Sequence, residues 1–124
     1  MREILFRGKC IENGEWVYGY YAHIPCGRFK KEEHLIQTIK KDGTIGPLYD
    51  VISDTVGQYT GQTDRNGTKI FVGNICTCDR EDGCFEVIWS DLSFGYELLG
   101  DDISIDLGGL YGNQICVIGN IHDN

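Results

Sequence analysis

Proline and long apolar runs are scarce in this sequence. Pro25 and Pro47 are its two prolines, set against seventeen glycines. No stretch reaches the roughly 18–20 consecutive apolar residues that a membrane-spanning helix needs, so no membrane partner is expected. The opening residues, Met1 to Arg7, include basic side chains but no sustained apolar core of about 7–15 residues and no small-residue cleavage site. That reads as a chain kept in the cytoplasm, where its six cysteines, Cys10, Cys26, Cys76, Cys78, Cys84 and Cys116, stay as thiols. Basic residues are scarce where they would matter for nucleic acid. Residues 51–124 hold three Lys/Arg against twelve Asp/Glu, while residues 1–50 hold eight against seven. A phosphate backbone is gripped by Lys and Arg, so direct binding of DNA or RNA is disfavoured. Enzyme fingerprints are missing too. There is no Gly-x-Gly-x-x-Gly, no Gly-x-Ser-x-Gly, and no lysine where Gly57-Gln58-Tyr59-Thr60-Gly61-Gln62-Thr63 would need one to cradle phosphate.

What is present is a chain of 124 residues, 41% hydrophobic and 24% charged, which fits one domain or two small sub-domains. Abundant glycine with seven Tyr, five Phe and two Trp favours short strands joined by tight turns over long helices. Asn13-Gly14, between β-prone runs, predicts a hairpin with a type I′ turn over Ile4–Ile24, with Trp16, Tyr18 and Tyr20 on one face. Further strands are expected at Leu35–Ile39, Leu48–Ile52, Lys69–Val72, Ile75–Cys78, Cys84–Trp89, Phe94–Leu99, Ile103–Leu107 and Gln114–Ile118. Pro47 puts the second of these at an edge or at its own start. Val56–Gly61 reads as loop. Several short strands at this spacing suggest a small barrel or a sandwich.

Four separated blocks then resemble one family. They are Ile4-Leu5-Phe6-Arg7-Gly8-Lys9 with Gly14-Glu15-Trp16-Val17-Tyr18-Gly19-Tyr20-Tyr21; Thr55-Val56-Gly57-Gln58-Tyr59-Thr60-Gly61 with Asp64-Arg65-Asn66-Gly67; Gly73-Asn74-Ile75; and Val117-Ile118-Gly119-Asn120-Ile121-His122-Asp123-Asn124. In order and content they resemble the YopX family of phage and prophage proteins, across nearly the whole chain. The resemblance implies a mainly β protein: an N-terminal β-hairpin region over residues 1–55, packed on a C-terminal SH3-like barrel over residues 56–124. It brings no activity with it. Where the family usually reads Glu-Gly-Asp-Ile, this chain has Val72-Gly73-Asn74-Ile75, so a role resting on those two carboxylates does not carry over. Where the family tends to have Asp-Pro, it has Ser53-Asp54.

The chemistry-bearing residues have plain readings beside sharper ones. Cys76 and Cys78 share a strand face, but with Cys84 they lack the two-residue spacing of a zinc knuckle, and small buried apolar residues are the simpler account. Asp79-Arg80-Glu81-Asp82-Gly83 has its glycine one place too early for a calcium loop and reads as a charged turn. Trp16, Trp89, Phe94 and Tyr96 are the aromatics that could line a recognition groove of an SH3-like barrel; most should fill the core, leaving Trp89 and Tyr96 as exposed anchors. The candidate binding residues are therefore Tyr59, Asp64, Asp79, Glu81, Asp82, Trp89, Asp91 and Tyr96. No catalytic residue, metal ligand or cofactor is assigned. The expectation is a non-enzymatic phage accessory protein that binds a host or phage macromolecule, foremost a protein with a basic surface, through the acidic barrel. The plainer reading of that acidity is a solubilising surface. One alternative is a binder of a nucleotide-like signal, or an uncharacterised enzyme, with Arg28, Lys30, Lys31, Lys40 and Lys41 as its cationic supply. Another is a virion or assembly component.

Overall fold

The computed structural model describes residues 4–25 and 32–123. The chain divides into two compact units, Met1–Gln58 and Tyr59–Asn124. Among the described residues the structure is mainly β, in antiparallel ladders, with helical geometry confined to short 3-10 turns. Among the described residues no helix is long and apolar enough to cross a membrane.

In the first unit, β1 (Phe6–Lys9), β2 (Trp16–Ile24), β3 (Glu33–Ile39) and β4 (Ile45–Asp50) form an antiparallel meander. The other side of β1 pairs with the start of β5 (Gly57–Thr63), Arg7 opposite Gly57 and Phe6 opposite Gln58. Ile36, Val51 and Cys10 are buried, and Cys10 bridges Val51. The Arg7 guanidinium lies over the Trp16 ring, 4.3 Å from its centre, so this charged group is buried against an aromatic face. The turn between β1 and β2 differs from the expected type I′. That turn needs positive φ at both central residues, but Gly14 has φ 70° and Asn13 is not in the left-handed region. Instead Gly14 N–H donates to the Cys10 carbonyl and Cys10 N–H to that of Glu15, while the Asn13 side chain accepts from Glu15 N–H. β2 and β3 approach closely at Gly19: a Cβ there would lie 2.0 Å from the Gln37 carbonyl oxygen. Pro47 falls within β4, the last strand of the ladder, where a missing N–H is tolerated.

In the second unit the remainder of β5 pairs with β6 (Lys69–Phe71), Tyr59 opposite Phe71 and Thr63 opposite Lys69, with an irregularity between them. β7 (Asn74–Cys78), β8 (Phe85–Ser90), β9 (Gly95–Leu99), β10 (Ser104–Asp106) and β11 (Ile115–Asn120) build a five-stranded sheet in the order β10-β9-β8-β7-β11. Ile70, Cys76, Phe85, Val87, Leu98 and Ile115 form the centre of its core. Two sequence expectations are corrected here. Residues 57–61, read as loop from their glycines, belong to β5: Gly57 sits in the ladder, and Gly61, at φ 92°, bends the strand without ending it. The expected barrel is not closed. β10 has only three residues, after which the chain leaves the sheet in 3-10 turns at Leu107–Gly109 and Gly112–Gln114 and returns as β11 beside β7. β10 and β11 thus end the sheet without pairing to each other.

Candidate functional site

The eight candidate residues fall in three places, all in the second unit. Tyr59 and Asp64 are interior. The Tyr59 ring packs at 5.6 Å on Phe71, with the Lys69 ammonium 4.7 Å above its centre. The Asp64 carboxylate is a structural clasp. Its Oδ1 accepts from Asn66 and Thr68 N–H and its Oδ2 from Val117 N–H, each at 2.9 Å. Burial alone would raise its pKa, but those three donors, with Arg65 nearby, outweigh it and hold the carboxyl below its ordinary value. Asp79, Glu81 and Asp82 occupy the exposed β7–β8 connection. There Asp79 pairs with Arg65 at 2.8 Å, and the Glu81 carbonyl faces the Cys78 thiol.

The third place gathers Trp89, Asp91 and Tyr96 at the β8–β9 hairpin end. Trp89 and Tyr96 are direct cross-strand partners, their rings edge-to-face at 5.1 Å. The Trp89 indole N–H donates to Asp91 Oδ1 at 2.9 Å, which fixes the ring while leaving it 47% exposed. Tyr96, expected as an exposed anchor, is half-buried against the core, whereas Phe94, one of the aromatics expected mostly to fill the core, stands out in solvent with Leu92. Leu92 is 96% exposed and Phe94 is 81% exposed. Phe94 is also the one non-glycine residue with positive φ, 53°, among those described. A bulky side chain in that region is strained by roughly 1–3 kcal/mol. Neighbouring carboxylates are Asp91 and Glu97, the latter accepting from the Ser93 hydroxyl at 2.8 Å. Among residues 59–124 three Lys/Arg face eleven Asp/Glu, a net charge of −8, so the whole charge of the chain is carried here.

The described thiols differ in setting: Cys78 and Cys116 are half-buried and Cys84 is exposed. Cys10 and Cys76 are buried, and the described cysteines are all free. Burial, reinforced by the negative fields of Asp64, Cys116 and Cys78, pushes the Cys76 thiol up to about 12, far from a nucleophile's range. Among the described residues, shallow depressions of 250, 390 and 360 Å³ have as their charged lining Glu12 and Asp50, Arg80 with Glu81 and Asp106, and Glu86 and Asp101, respectively. They suit phosphate poorly. Of the cationic supply that a nucleotide pocket would need, Arg28, Lys30 and Lys31 lie outside the described residues, and Lys40 and Lys41 are exposed at the β3–β4 turn.

A constellation absent from the sequence reading lies in the first unit. His23 on β2 and His34 on β3 are directly opposite, and both aim Nε2 at Glu32 Oε1, at 2.6 and 3.1 Å. The imidazoles stack at 4.4 Å with 5° between their planes, and His34 Nδ1 meets the Tyr21 hydroxyl at 2.6 Å. Hydrogen bonds from His23 and then His34 hold the Glu32 carboxyl below its usual value. Burial and the Glu32 charge raise the Tyr21 phenol.

A protein of two antiparallel β units with an exposed aromatic hairpin end is the class this geometry defines. The chain belongs to the YopX family: the family model described as YopX protein matches residues 5–124. No curated protein matches the sequence. Among solved structures, protein EF1440 from Enterococcus faecalis shares the fold at a TM-score of 0.56 and 18% identity, over 98% of this chain and 95% of that one.

Proposed function

We propose that this chain is a non-enzymatic phage accessory protein, acting in the bacterial cytoplasm, that binds a protein with a basic surface through the acidic second unit. The contact centres on the β8–β9 hairpin end. The observation that carries this reading is Phe94, held almost fully in solvent at a strained φ of 53°, next to Leu92 and the Trp89–Tyr96 pair. Backbone strain spent on displaying an aromatic ring is expected where that ring anchors something. Asp91 and Glu97 flank the anchors, the arrangement of an apolar centre with a charged rim, and their sign selects a cationic partner. Asp64 is enclosed by backbone donors and Cys76 is buried with its thiol raised, which favours binding over catalysis at these two groups.

The test is capture of partners from phage-infected host lysate by the tagged protein, then titration of whatever is retained. Leu92→Ser with Phe94→Ser should weaken the recovered protein by roughly 30-fold or more, the loss of a truncated anchor. Asp91→Asn with Glu97→Gln should weaken it less and flatten its salt dependence. Equal retention by all variants, or recovery of nucleic acid alone, would sink the proposal. A retained metabolite in place of protein would favour the small-molecule alternative, and stoichiometric presence in purified particles the assembly one.

A further inference from the structure

We propose that His23, Glu32 and His34 form a binding site for a divalent transition-metal ion, Zn²⁺ foremost, on the exposed end of the β2–β3 ladder. Two imidazole nitrogens and a carboxylate oxygen are the donors of open zinc sites that keep a position for water. Here the three donor atoms lie within 4.8 Å of one another. The ladder accounts for their convergence. His23 and His34 are paired across β2 and β3, and Glu32 stands two residues before His34, so alternation returns all three to one face. Further along that face Tyr21 and the buried Ile36 form a second cross-strand pair, which gives the site a packed apolar base.

Tyr21 supplies what a metal-binding histidine needs behind it. A phenolic oxygen can accept from Nδ1–H, which leaves the Nε2 lone pair of His34 pointing outward, and such a partner fixes both tautomer and ring. The ring of Tyr21 is itself held at 5.5 Å by Phe6. His34 is the anchored ligand, with its side chain 17% exposed; His23 and Glu32, at 43% and 52%, are free to adjust. That freedom matters. In a tetrahedral site with bonds of about 2.0–2.1 Å, donor atoms stand roughly 3.3 Å apart. The separations of 2.6 and 3.1 Å must therefore open by about 0.7 and 0.2 Å, and the stacked rings must fan apart, as the ion replaces the protons now shared with Glu32. Oxygen and nitrogen donors in this ratio suit Zn²⁺, Co²⁺ and Ni²⁺ over Mg²⁺ or Ca²⁺.

The experiment uses the full chain with any affinity tag removed, stripped with chelator and reduced, and titrated calorimetrically with Zn²⁺ at pH 7.5. Co²⁺ provides a spectroscopic second probe. One ion should bind per chain. His23→Ala and Glu32→Gln should each weaken it at least about 10-fold, and Tyr21→Phe about 10- to 100-fold, the range for losing a supporting hydrogen bond. His23 and Glu32 are exposed, so circular dichroism should show both variants folded. If His34→Ala disturbs folding, these two keep the test decisive. Co²⁺ should show nitrogen and oxygen ligation without the strong near-ultraviolet absorption of thiolate bonds. The proposal is overturned if Zn²⁺ does not bind, if uptake is unchanged in His23→Ala and Glu32→Gln, or if thiolate absorption shows that cysteines take the metal.

Discussion

Asp64 holds a negative charge within the second unit because three backbone N–H groups meet it there. With its carboxyl held low in the folded state, its contribution is complete above the unfolded value of about 3.9 and disappears as pH falls through the lower, folded one. Melting temperature measured from pH 7 down to pH 2 should therefore fall more gently in Asp64→Asn than in the parent. At neutral pH that variant should be less stable by about 2–4 kcal/mol, since the new amide NH₂ replaces an acceptor facing Val117 N–H. Equal slopes would remove Asp64 from the account of acid stability. Asn74 shows the same chemistry read the other way. Its Oδ1 accepts from Phe71 N–H at 2.7 Å and its Nδ2 donates to the Gly119 carbonyl at 3.3 Å. The family's usual aspartate could make only the first bond, so the amide in this chain has its own partner. None of this is legible before folding: nothing in Asp64-Arg65-Asn66-Gly67 shows that Val117 would close on it.

At the scale of elements, hydrophobic alternation and turn residues located most strands within a few positions. Asp82-Gly83 does join β7 to β8, with Gly83 at φ 107°. The misreading of β5 has a clear origin. Gly57 and Gly61 carry ordinary loop signals, while what makes the segment a strand is the pairing of Gly57 with Arg7, fifty residues back. The His23–Glu32–His34 group escaped for a similar reason: three residues with no local motif become one cluster only once the β2–β3 register sets His23 opposite His34. Distance between strands sets a second testable difference. Gly19→Ala should cost about 2–4 kcal/mol in denaturant unfolding, because its Cβ would strike the Gln37 backbone. Gly14→Ala, with open space but φ 70°, should cost only about 1 kcal/mol. Similar losses would mean that strand approach at Gly19 is not the constraint.

For the molecule as a whole, the decisive asymmetry is electrostatic and was open to counting from the start. The first unit balances eight Lys/Arg with eight Asp/Glu, and the second carries the entire −8. A field localised in this way steers cationic partners and is screened over about 8–10 Å at physiological salt. The association rate of the captured partner should accordingly fall several-fold between about 50 and 500 mM NaCl, with its dissociation rate changing far less. A salt-independent association rate would reduce the acidity to a solubilising role. What composition could not show is which carboxylates are available. Asp79 is tied to Arg65, Asp64 is enclosed, and Asp91 props an indole.

The clasp at Asp64 also bears on time. Its bond to Val117, on β11, closes a span of 53 residues. We expect a contact of that reach to close after the barrier to folding has been crossed. Stopped-flow measurements on Asp64→Asn should find the refolding rate nearly that of the parent and the unfolding rate markedly faster. That outcome would make one carboxylate a determinant of how long the folded state lasts; equal unfolding rates would deny it that part.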